Sequence, residues 1–239
     1  MNQSKLILIL NGLSILSLLF MVILLFIAGN VNRGLTAAHE NRFNLTYNAN
    51  RFMNGSAYLT NEVRAYASTG NQEHYDNYWN EVNNLKNRDI GVTAMQEIGI
   101  TASEQSMIDN MSSISNNLVP LEDEAMKNVQ AGHMEEALNY VYGTDYNTSI
   151  AQINSIKEQF LSALDARTKA EVDSLSLRST IIQAFIILSV IVVAVLQMVI
   201  NAITKKRILT PIIRVKDQMG EISQGNLSAS FSLESDTSE

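Results

Sequence analysis

The 239-residue chain contains no cysteine. That excludes a disulfide framework, thiolate chemistry and any cysteine-based metal site, and leaves the compartment open. There are two prolines and eleven glycines. Outside the apolar stretches, β-branched residues rarely alternate with polar ones. Few helix breakers and little period-two pattern favour helices. Charge is missing in two places. Leu6–Ala28 and Ile181–Ile203 are each 23 residues long without a charged side chain. At about 1.5 Å per residue, each makes a helix of about 34 Å, enough to cross a hydrocarbon core of about 30 Å. The first exceeds the apolar part of a usual signal peptide, and no Ala-x-Ala cleavage site follows it. An uncleaved transmembrane helix is the expectation there.

What charge there is lies unevenly. The net charge is −7, yet residues 29–180 carry 11 Lys/Arg against 19 Asp/Glu. No nucleic-acid partner is expected for so acidic a segment. Lys205, Lys206, Arg207, Arg214 and Lys216 form a basic run behind the second span, with no acid among them. The positive-inside bias puts both chain ends in the cytoplasm and residues 29–180 outside the cell membrane, extracellular or periplasmic.

The expected fold class is all-α. Residues 1–5 are a cytoplasmic N-terminus and 6–28 the first transmembrane helix. Residues 29–180 form an outer antiparallel four-helix bundle, 181–203 the second transmembrane helix, and 204–239 a cytoplasmic coiled-coil segment. In the bundle, Leu45, Ala49, Phe52, Ser56, Leu59, Val63 and Tyr66 recur at steps of four and three, a stripe facing a core. This helix runs back into the first span and ends near Gly70. A second helix is expected to reach Ile98 with Tyr75, Tyr78, Trp79, Val82, Leu85, Val92 and Met95 on its apolar side. Thr101-x-x-Glu104 reads as a capping box for a third, which Pro120 should kink or divide. A short helix covers Met134–Tyr142. A long one runs from about Tyr146 into the second span. Gln183, Gln197 and Asn201 belong near membrane ends or at a helix–helix interface. Beyond the span, Ile208, Ile212, Val215, Met219 and Ile222 again step four and three, with Pro211 near the start. Such a stripe wants a partner chain.

No catalytic constellation survives inspection, so an enzyme is not expected. His39, His74 and His133 lie on different helices. Each reads as a surface or helix-end histidine before a metal ligand or base. Glu122-Asp123-Glu124 and Glu135-Glu136 read as solvated faces and helix starts. No metal and no cofactor are expected. For a small anionic ligand, a guanidinium is the natural grip. Arg64 is the first candidate, Arg51 the second, with Tyr58 on the same face and Tyr75 and Trp79 as pocket walls. The alternatives stay open: an ion pair for Arg64, and core packing for the aromatics.

The residues after the second span, ILTPIIRVKDQMGEISQGNLSASF, resemble the first half of a HAMP domain. The shared features are Pro211, the stripe behind it and Gly225-Asn226-Leu227; Glu239 falls at the family's acidic position. The outer segment resembles the four-helix-bundle sensor of methyl-accepting chemotaxis proteins. It does so through Leu59-x4-Arg64-x-Tyr66-x2-Thr69-Gly70, Tyr75, Tyr78 and Gly132-x4-Ala137-Leu138. The resemblance implies a homodimeric membrane chemoreceptor and a longer chain than this one. Its stimulus would be a small-molecule ligand or an extracellular or periplasmic binding protein. Pro211, Ile208, Ile212, Val215, Met219, Ile222 and Gly225 would transmit the signal. A chemotaxis kinase and coupling protein would be engaged by a C-terminal part beyond Glu239. Histidine kinases and diguanylate cyclases share such a front end, and a non-signalling membrane adaptor is the rival class.

Overall fold

The computed structural model describes residues 3–223, and among them every regular element is helical. The helices are α1 (Gln3–Thr69), α2 (Gln72–Asn80), α3 (Asn87–Ile98), α4 (Ala102–Gln130), α5 (Met134–Tyr142), α6 (Thr144–Thr204) and α7 (Thr210–Ser223). A π-helical turn, Glu81–Leu85, follows α2, and another, Lys205–Leu209, follows α6. The chain divides into two compact units: Gly34–Leu175, and Met1–Arg33 with Ser176–Glu239. Gly225 and Glu239 lie outside the described residues.

In the unit Gly34–Leu175, local chemistry sets the helix ends. Gly70 stops α1 at φ +67°, a left-handed conformation that costs glycine little. Asn71 caps α2 by accepting from the Glu73 amide at 3.1 Å. Thr101 and Glu104 form a full capping box: Thr101 N–H donates to Glu104 Oε2 at 2.8 Å, and Glu104 N–H donates to Thr101 Oγ1 at 3.2 Å.

One expectation fails here for an identifiable reason. The single helix expected to reach Ile98 is broken. The π turn is closed by Lys86 N–H donating to the Glu81 carbonyl at 2.9 Å. Lys86 itself is left-handed at φ 49°. The wider turn rotates the chain off the 3.6-residue period. Val82 and Leu85, expected inside, are therefore exposed. Glu81 takes the inward place and is buried. Pro120, by contrast, does not divide α4, which runs unbroken from Ala102 to Gln130. Proline removes one backbone donor there. Leu118, Glu122 and Ala125 are buried on both sides of it and hold the helix to its packing.

Two apolar clusters fill this unit. In one, Leu45, Ala49 and Phe52 of α1 meet Met95 of α3, Ile108 and Met111 of α4, and Phe160 and Leu164 of α6. In the other, Leu59, Val63 and Tyr66 of α1 meet Tyr78, Leu118, Ala125, Val141 and Tyr146. The four-and-three stripe read from α1 is buried in both, apart from half-buried Ser56. Fully burying one such side chain is worth about 1.5–3 kcal/mol.

The other unit has the opposite surface. Leu8, Phe26 and Met198 are among many large apolar side chains left exposed. Two helices of the chain contain segments long and apolar enough to cross a membrane. The polar groups between these segments face one another. Gln197 donates to Ser14 Oγ at 2.8 Å, Ser179 donates to Asn32 Oδ1 at 2.8 Å, and Gln183 donates to Ser179 at 3.3 Å. Asn201 is exposed. In and before α7, Ile208, Ile212 and Met219 are exposed, and Val215 is half-buried. Pro211 is the second residue of α7, directly behind the π turn Lys205–Leu209, and Ile222 lies near that helix's end.

Candidate functional site

Arg64 and the aromatic residues come together in one constellation of the unit Gly34–Leu175. Arg64 Nε donates to the Val141 carbonyl at 3.0 Å and Nη2 donates to Asn147 Oδ1 at 2.7 Å. The guanidinium carbon lies 4.7 Å from the Tyr142 ring centre and 5.2 Å from that of Tyr146. This is a cation–π seat that locks the side chain to its own fold. Tyr75 and Trp79 pack half-buried against the neighbouring cluster. Tyr75 tilts against Tyr66 with ring centres 5.4 Å apart, and Trp79 meets Tyr78 edge to face at 5.3 Å.

Beneath them is a group the sequence reading placed wrongly. Glu122, expected with Asp123 and Glu124 on a solvated face, is buried. Its two carboxylate oxygens accept from the hydroxyls of Tyr78 and Tyr146, each at 2.6 Å. Burial first, then the Glu122 charge, pushes both tyrosine hydroxyls well above their ordinary range, so both remain donors. Asp123 and Glu124 do face out, pairing with Lys127 at 2.7 and 2.9 Å. Charge misled here, not period. Glu122 continues the four-residue step from Leu118, a signal that charge made easy to overlook. A second buried acid, Glu104, receives two bonds from Arg167 at 2.8 and 3.0 Å.

A cleft of about 740 Å³ opens on the other side of α1, beside the π turn. Tyr47, Arg51 and Tyr58 of α1 line it, with Leu85 and Glu81 of the π turn and Asn87 at the start of α3. Arg51 is held at one edge only. Its Nε donates to Asn87 Oδ1 at 2.8 Å. Asn87 is itself clamped, because its backbone N–H and its Nδ2 each donate to the Glu81 carboxylate at 2.8 Å. Among the described residues, neither Nη nitrogen of Arg51 makes a hydrogen bond. Burial first, then the Glu62 carboxylate, pushes the Tyr58 hydroxyl above its ordinary value, so it stays protonated at neutral pH. Gly55 lets the chain close tightly under the cleft. A methyl group there would sit 3.1 Å from both Arg88 Cγ and Glu81 Oε1. Among the described residues, the buried Arg88 Nε in this neighbourhood finds no acceptor.

Of the five candidates, Arg51 and Tyr58 share the cleft; Arg64, Tyr75 and Trp79 do not line it. Asn87 and Glu81 were not singled out from sequence. The π turn that brings them to Arg51 leaves no local pattern. Among the described residues, no group of three or more metal-ligating side chains converges. No family profile, curated protein or solved structure matches the chain.

Proposed function

We propose that the chain is the front end of a transmembrane chemoreceptor of the methyl-accepting type, homodimeric and without enzymatic activity of its own. The reading rests on the HAMP-like run after the second apolar span. The single structural observation that favours it is helix continuity. α1 runs unbroken from Gln3 to Thr69 and α6 from Thr144 to Thr204. Each joins an apolar segment to the unit that carries the cleft. In this reading 29–180 is an outer four-helix sensor, both chain ends are cytoplasmic, and 204–239 begins a HAMP domain. Occupancy of the cleft biases two arrangements of α1 and α6. The segment after the second apolar span passes the bias to a kinase-controlling domain through Pro211, Ile208, Ile212, Val215, Met219, Ile222 and Gly225. Such coupling requires the ligand to favour one arrangement in affinity.

The test joins this chain to a chemoreceptor signalling domain in cells lacking their own receptors. Pro211→Ala and Met219→Ala are expected to shift basal kinase output. Wild-type basal output and ligand response in both variants would sink the proposal. A histidine kinase or diguanylate cyclase front end would pass the same test with its own output domain. A membrane adaptor would fail with every one.

A further inference from the structure

We propose that the cleft beside the π turn takes a small monocarboxylate with an apolar body, gripped by the outer edge of Arg51. The assignment rests on the receptor reading only for its biological use; the binding chemistry stands on the geometry. A guanidinium offers five N–H donors in a plane. Here the Nε edge is spent on Asn87, which fixes the plane of the group. Glu81 fixes Asn87 in turn through two further bonds. The Nη pair is left over, unbonded among the described residues and oriented before any ligand arrives. Two coplanar donors match the two oxygens of a carboxylate and favour it over a neutral group. Preorganisation removes the ordering cost that a free arginine would carry.

Charge supports an anion over a cation. Among the described residues, the one acid lining the cleft, Glu81, is buried with both oxygens engaged by Asn87; the Glu62 carboxylate acts on the Tyr58 hydroxyl from outside the lining. Arg88 adjoins Gly55 under the cleft and holds a buried donor with no acceptor among the described residues. Lys86 sits at the end of the same π turn. Lys86 faces a separate pocket with Asp89 and Glu97, so the cations at the cleft are Arg51 in its lining and Arg88 beneath it.

The walls define the rest of the ligand. Tyr47, Tyr58 and Leu85 present exposed apolar surface to the same space. Rings and a leucine reward an apolar body, and a bare inorganic anion would leave them wet. Asn50 and Asn54 add amide groups at the rim. Their reach suits a single polar substituent on that body.

Benzoate is the probe, titrated calorimetrically into the full chain in lipid nanodiscs. Benzamide serves as its neutral isostere and inorganic phosphate as a bare anion. Benzoate is expected to bind at least about tenfold more tightly than either, because only it offers a planar charged pair of oxygens to Arg51. Arg51→Lys keeps the charge but loses the paired donors, and is expected to weaken benzoate about tenfold or more. Asn87→Leu removes the brace while leaving the Nη pair of Arg51 in place, and is expected to weaken it less. Helical circular dichroism checks that each variant is folded, and Arg64→Gln, outside the cleft, should bind as the parent does. Equal binding of benzamide overturns the proposal, as does undiminished benzoate binding by folded Arg51→Lys. So does the absence of benzoate binding to the parent chain. The cysteine-free background allows spin labels at Leu16→Cys and Val195→Cys. Benzoate binding that leaves their distance unchanged upholds the carboxylate class and counts against the receptor reading alone.

Discussion

At the scale of single residues, the buried acids decide most. Glu122 carries charge into a cluster that contains Val63, Leu118 and Val141. A buried carboxylate survives only when its oxygens are bonded. Here two tyrosine hydroxyls from different helices do that work. Tyr78→Phe removes one charge-assisted bond and should cost about 1.5–3 kcal/mol. Glu122→Ala strands both hydroxyls and should cost about 2–6 kcal/mol, read as a lower unfolding midpoint in denaturant. A loss no greater than that of Tyr78→Phe would show that the hydroxyls find other acceptors. Glu104 is a different case. Burial alone would raise its carboxyl, but two bonds from Arg167 and the Thr101 amide outweigh this and hold it below the usual glutamate value of 4.5. A carboxyl depressed in the folded state binds fewer protons there than in the unfolded chain. Its stabilisation is therefore complete at neutral pH, begins to fade near 4.5, and is lost as pH drops through the folded value. Glu104→Gln should flatten that acid limb of the stability profile, measured by denaturation from pH 7 to pH 3. An unchanged limb would assign acid sensitivity to other groups.

At the scale of elements, the contact between α1 and α3 depends on one missing side chain. A methyl group on Gly91 would come within 2.7 Å of the Asn48 carbonyl and 2.9 Å of the Phe52 amide. Both are backbone atoms of α1 and cannot swing away. Gly91→Ala should force the helices apart and destabilise by about 1–3 kcal/mol in thermal unfolding, the usual range for overpacking. Pro120→Ala runs the other way. It restores a helix donor on an exposed position of α4 and should raise the unfolding temperature, by up to about 3 kcal/mol in stability. A lower temperature would mean that the proline shapes the helix for its packing. These elements also mark how far the sequence could be read. The α1 stripe, the Gly70 stop and the Thr101–Glu104 box were legible because each is local: a period, a φ preference, a spacing of three. The π turn was not. One extra residue per turn shifts every later position, and nothing in Glu-Val-Asn-Asn-Leu announces it. The apolar Val82 and Leu85 argued for a continuous face, and the deciding partner, Glu81 turned inward onto Asn87, exists only in three dimensions. The cleft was half legible for the same reason. Arg51 and Tyr58 share a helix and could be paired by spacing, whereas Asn87 reaches them only through that turn.

At the scale of the whole molecule, the proposed topology rests on where the cations lie. Five positive charges within Lys205–Lys216 follow the second span, against Arg178 alone close before it. Translocating that run would cost far more than retaining it, so the proposed arrangement keeps both ends inside and Gly34–Leu175 outside. The absence of native cysteine makes the claim measurable one site at a time. Tyr142 is 48% exposed and Ile208 44% exposed, so reach is comparable at both positions. In intact cells, a membrane-impermeant maleimide should label Tyr142→Cys and spare Ile208→Cys until the cells are opened. Neutralising Lys205, Lys206 and Arg207 together to Asn should weaken the bias at this end and allow a fraction of Ile208→Cys to be labelled from outside. Only Arg214 and Lys216 of the run then remain to hold it inside. Equal labelling of both sites in the parent chain would overturn the two-span arrangement. Labelling of Ile208→Cys that ignores the three substitutions would mean that packing of the second span against the first, through Gln197 and Ser14, sets the orientation instead of charge.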